Sequence, residues 1–95
     1  MMHNHPHPGI ILRTDVIEPL GLEVKEVARR LAVSRTAMSR VHNGRAGIRT
    51  DVAIRLERAG VSTARFWTIL QANYELSLAL GRRQPPVTPL AKPFA

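Results

Sequence analysis

With 95 residues and no cysteine, the chain has room for one domain and excludes disulfides and thiolate metal sites. It carries 14 Lys and Arg against 7 Asp and Glu, a net charge of +7, and no apolar run approaches the ~18 residues of a membrane span. A core of this size is marginal alone, so association with a partner is expected. The thiol-free composition suits a reducing cytoplasm.

The charge is unevenly spread. Residues 29–65 hold nine arginines against Asp51 and Glu57 and sum to +7, whereas residues 1–28 sum to −2 and residues 66–95 to +2. Arginine, a planar fork that grips phosphates and guanine edges, dominates over lysine. A clustered basic stretch is an electrostatic footprint for a polyanion. The plainer alternative is a solvated basic face that keeps the chain in solution.

Residues 1–8 (MMHNHPHP) read as a flexible N-terminus. His3, His5 and His7 alternate there, but terminal position and neighbouring prolines give them no fixed geometry, so no metal and no cofactor is assigned. The segment lacks a basic stretch followed by an apolar one, so no secretory signal is expected. Pro8-Gly9 is read as a chain break before a first helix over 10–17, with Ile10, Ile11, Leu12, Val16 and Ile17 as its apolar side. Pro19 and Gly21 are read as its terminators, with Leu20 and Leu22 plugging the core. Glu23 and Glu26 then sit where carboxylates complement a helix N-terminus.

Residues 24–44 organise the chain. Val24, Val27, Ala28 and Leu31 recur at helical spacing and predict one apolar stripe. Ser34 offers an N-cap oxygen for a second helix. Ala37, Met38 and Val41 are its expected buried face, with Arg35, Thr36, Ser39 and Arg40 pointing away. Asn43-Gly44 ends it. Ala28 is small enough for two helices to cross closely.

After Gly44 a basic loop, Arg45 to Arg49, leads to Thr50 as the expected N-cap of a fourth helix. That helix carries Val52, Ala53, Leu56 and Ala59 and ends at Gly60. Ser62 is the expected cap of a last helix over 63–80. Its Phe66, Trp67, Leu70, Tyr74 and Leu78 lie along one side, and Ile69, Leu76 and Leu80 along another. Thr68, Gln71 and Glu75 form its polar wedge. So broad an apolar arc predicts an interface, and the helix is read as homodimeric through Phe66, Trp67, Leu70, Tyr74 and Leu78. Residues 81–95 hold four of the seven prolines and read as a disordered tail. Residues 9–80 are thus the expected domain.

The two-helix block at 24–44 resembles the helix-turn-helix of phage-repressor-like DNA-binding proteins, whose second helix enters the major groove. Such proteins commonly have Gly in the turn where this chain has Ala32, and a Cβ resists left-handed backbone. Over roughly residues 7–80 the chain resembles the HigA-type (VapI-like) antitoxins. The matching residues are His7-Pro8-Gly9 with Ile11-Leu12, Glu18-Pro19-Leu20-Gly21-Leu22, Val33-Ser34-Arg35, Asn43-Gly44, Phe66-Trp67, Leu70-Gln71 and Tyr74-Glu75-Leu76. It departs at Ile10, where an acidic residue is usual, and at Thr68-Ile69, where Leu-Asn is usual. The resemblance implies an all-α, five-helix helix-turn-helix domain that represses its own operator as a dimer. It also implies capture of a ribonuclease-like toxin encoded alongside.

On this reading double-stranded operator DNA is the partner. Arg35, Thr36, Ser39 and Arg40 are the candidates for base edges, and Ser34, Asn43, Arg45, Arg49 and Lys25 for the phosphate backbone. For Ser34, capping alone is an equal explanation. Two other readings stay open: a module whose main task is toxin capture, and a stand-alone transcription regulator. An enzyme is not expected, since His42 has neither a nucleophile nor a carboxylate at catalytic spacing.

Overall fold

The computed structural model describes residues 5–92. The readings made for residues 1–4, including His3, and for residues 93–95 lie outside them. Among the described residues there are five helices and no strand. They are α1 (residues 8–20), α2 (Val24–Leu31), α3 (Arg35–His42), α4 (Thr50–Arg58) and α5 (Ala64–Leu80).

α1 differs most from its predicted form. Pro8 does not break the chain but opens the helix, where its missing N–H costs nothing. His7 caps it, Nδ1 accepting from the Gly9 N–H at 2.9 Å. The helix widens to a π-helical stretch, Arg13–Ile17, and closes with Glu18–Leu20. Pro19 lies inside that last turn. Its ring has no N–H for the carbonyl of Asp15 and would crowd it, and a widened turn relieves the clash. Gly21, at φ 70°, ends the helix. Leu20 is 63% exposed and does not plug the core, while Leu22 is half-buried against it.

The caps of the later helices shift by a residue. Arg49, not Thr50, is the N-cap of α4. Thr63 caps α5, its Oγ1 accepting from the Phe66 N–H at 3.0 Å. Ser62 instead occupies left-handed backbone at φ 59°.

One core unites the helices. Leu12 and Ile17 of α1 meet Val27, Ala28 and Leu31 of α2, Met38 and Val41 of α3, Ala53 and Leu56 of α4, and Trp67 of α5. Ala59 and Ala37, both expected inside, are exposed. Gly9 lets α1 cross α3 at short range: a Cβ there would lie 2.0 Å from the Val41 carbonyl oxygen. Trp67 is 1% exposed, and its Nε1–H donates to the Val61 carbonyl at 2.9 Å. At the other end of the fold the Tyr74 ring meets His7 edge-on, centroids 4.8 Å apart. Beyond α5 the described residues 83–92 are exposed and form no helix.

Candidate nucleic-acid interface

α2 and α3 form the helix-turn-helix. Ala32, at φ 56° and ψ 41°, makes the turn in left-handed backbone, so the chain places a Cβ where glycine is favoured. Arg55 of α4 braces it, Nη1 donating to the Ala32 carbonyl at 2.8 Å. Arg13 does the same for α3, donating to the His42 carbonyl at 3.3 Å. Sequence reasoning counted both arginines only as charge. Their signal was position: each faces the carbonyl end of another helix, where cations are favoured.

Ser34 caps α3, its Oγ accepting from the Ala37 N–H at 3.0 Å. The hydroxyl proton stays free to donate outward. With Met38 and Val41 buried, α3 exposes Arg35, Thr36, Ala37 and Arg40, and half-buries Ser39. The apolar methyl of Ala37 therefore joins the outward face, against expectation. Asn43 Nδ2 donates to Ser39 Oγ at 3.3 Å, which fixes both side chains at the helix end.

Two open grooves flank this face. Arg40 and Arg49 line one of about 380 Å³, with Val33 and Ala37 on its walls. Lys25 and Arg35 line the other, of about 470 Å³, beside His42, Glu18 and Glu23. Lys25 pairs at 3.7 Å with Glu23, both exposed. Glu26 holds Arg29 and Arg30, which keeps its own carboxyl down at about 2 through those hydrogen bonds. Among the described residues, Arg35, Arg40, Arg45 and Arg49 have no carboxylate partner. α3 and the loop after it thus hold four arginines without a carboxylate partner; Arg58, Arg65, Arg82 and Arg83 are likewise without one elsewhere among the described residues.

That loop is tied at both ends. The Arg45 and Ala46 N–H groups both donate to the Arg40 carbonyl, at 2.7 and 3.2 Å. Ile48 is buried in the core. Its N–H donates to Gln71 Oε1 of α5 at 2.8 Å, a contact that sequence reasoning missed when it counted Gln71 only as part of the polar wedge of that helix. His42 is the last residue of α3, its Nδ1 sealed from solvent and without a partner among the described residues. Burial first, and then the Arg13 charge, hold its pKa below the ordinary histidine value.

The predicted dimer face is only partly available. Trp67 is committed to the chain's own core, so it is not a surface for a partner, and Leu70 and Tyr74 are half-buried. The exposed stripe lies on the opposite side of α5. It runs Phe66, Ile69, Asn73, Leu76 and Leu80, at alternating steps of three and four. Leu78, beyond the core, is also half exposed.

No protein-family model matches the chain. It is 43% identical over 77 residues to virulence-associated protein A of Dichelobacter nodosus, covering 80% of this chain and 76% of that one. It is 35% identical over 69 residues to antitoxin HigA-1 of Vibrio cholerae, covering 72% of this chain and 64% of the other. Among solved structures, Pseudomonas aeruginosa antitoxin HigA with the higBA promoter matches with a TM-score of 0.79 and 35% identity, over 82% of this chain and 85% of that one.

Proposed function

The chain belongs to the HigA-type, VapI-like family of helix-turn-helix antitoxins, and on that premise we propose that it binds the operator of its own genes as a dimeric repressor and neutralises a toxin encoded beside it. One observation carries the DNA half of this reading. The outward face of α3 and the loop after it concentrate arginines that no carboxylate of the described residues compensates, on the same fold as a HigA solved with its promoter.

Two α3 helices one helical turn apart, ~34 Å, would enter successive major grooves. Arg35, Thr36, Ser39 and Arg40 are assigned to base edges. Ala37, newly exposed, is placed to pack on a thymine methyl. Lys25, Ser34, Asn43, Arg45 and Arg49 are assigned to the backbone. The second copy is assigned to the stripe of Phe66, Ile69, Leu76 and Leu80, because exposed apolar surface of this kind marks an interface. The reading includes no catalytic chemistry.

The test is a duplex carrying the region upstream of the gene, titrated against a scrambled duplex at fixed salt. Preference for the first by at least a hundredfold is the expected result; equal affinity would refute sequence-specific repression. Co-purification with the product of the neighbouring reading frame tests the toxin half, and its absence would leave the stand-alone regulator.

A further inference from the structure

The hydrogen bond from the Ile48 N–H to Gln71 is more than a tie within the core. In residues 47–49, Ile48 has the one backbone N–H with a partner among the described residues, and that partner is on another helix. Gln71 is itself held, its Nε2 donating to Glu75 Oε2 at 3.0 Å. The fit is close: a Cβ on Gly47 would come within 2.6 Å of Gln71 Nε2. Arg45 and Arg49 flank this point, both outside the buried core.

We infer that Gln71 is a positioning residue for DNA binding: by holding the Ile48 amide, it fixes the loop that presents Arg45 and Arg49 to the phosphate backbone. The inference rests on the proposed DNA reading. Its physical basis is that a phosphate contact gains most when the side chain's base is already immobile, because ordering a loop on binding subtracts from affinity. The geometry also joins two tasks on one helix. The outer side of α5 carries the exposed apolar stripe, and its inner side holds the DNA-facing loop, so a partner that shifts α5 shifts the arginines.

The experiment uses the full chain and an upstream-region duplex, with anisotropy titrations at several salt concentrations. Three companion measurements are made: hydrogen exchange at the Ile48 amide, thermal melting and sedimentation. Gln71→Ala is expected to speed exchange at Ile48 and to weaken operator and scrambled duplex alike, about five- to tenfold. It should also make the salt dependence shallower by about one to two phosphate contacts, with mass and melting little changed. Gly47→Ala, which pushes Gln71 aside, should do the same more weakly. The swap Gln71→Glu with Glu75→Gln keeps net charge and both hydrogen bonds and should restore the wild-type slope. Faster exchange at Ile48 with unchanged affinity and slope would overturn the inference, as would a loss explained entirely by lower mass or melting. A wild-type chain that binds no duplex would refute the DNA reading itself, and this inference with it.

Discussion

Ala32 turns the helix-turn-helix at φ 56°, a conformation that costs a residue with a Cβ about 1 kcal/mol. Ala32→Gly should therefore raise stability by ~0.5–1 kcal/mol, less whatever entropy the unfolded glycine gains. A lowered melting midpoint would contradict this. Arg40 tests the groove-facing assignment. Arg40→Ala should weaken operator binding by ~1–3 kcal/mol and flatten discrimination at one base pair. An equal loss on scrambled duplex would assign it to phosphate instead. His7 adds a pH dependence. Its Nδ1 must stay unprotonated to accept the Gly9 N–H, and burial holds its pKa below the ordinary value. His42 is lowered as well, by burial first and then by the Arg13 charge, against an opposing pull from Glu18. Both groups thus bind a proton more readily unfolded than folded, so stability falls as pH drops below about 6.5. Melting midpoints measured from pH 7 to 5 should decline, and His7→Asn, which keeps a cap oxygen without titrating, should make the decline shallower. A decline as steep as wild type would exclude His7 as a cause.

Among the elements, α1 and α5 hold what packing decides. Gly9→Ala would put a methyl where the Val41 carbonyl already is, at a cost of ~1–3 kcal/mol, since overpacked cores relax only partly. Melting measures it, and α3, the helix pushed aside, carries the proposed base contacts. Trp67→Ala is a test of the fold and not of assembly. It removes a buried indole and orphans the Val61 carbonyl, losing ~3–5 kcal/mol. Leu76→Glu is the cleaner probe of α5, because Leu76 is 57% exposed and lies outside the buried core. It should halve the sedimenting mass at micromolar concentration, leave melting of the monomer intact, and lower duplex affinity. A mass unaltered by the substitution would move the interface elsewhere. Asn73 lies midway along the same stripe. A lone polar residue at such a position fixes register at some cost in stability, so Asn73→Leu should tighten association and loosen its stoichiometry.

At the scale of the whole molecule, the net charge of +7 separates into working and structural parts. Glu26 engages Arg29 and Arg30, and Arg13 and Arg55 donate to helix carbonyls. Arg35, Arg40, Arg45 and Arg49, which have no carboxylate partner among the described residues, are the arginines proposed to face a polyanion. The proposed dimer would present each of them twice, which would double the phosphates neutralised and steepen the salt dependence of binding accordingly.

The order and type of the helices were legible because each is written locally. Apolar residues recur at helical spacing in residues 24–31, Ser34 caps the next helix, and glycines mark the turns at Gly21, Gly44 and Gly60. The exposed positions of Arg35, Thr36 and Arg40 followed from the same spacing. What the sequence did not disclose depends on which elements meet. Both sides of α5 are apolar, so periodicity alone could not choose between them. Only docking on the core consumed Trp67 and left Phe66, Ile69, Leu76 and Leu80 outside. The same docking turned Gln71 toward an amide 23 residues away, and the packing of α1 on α3 set Gly9 against Val41. Local sequence encodes a helix and its caps, whereas burial and long-range hydrogen bonds exist only once the helices have packed.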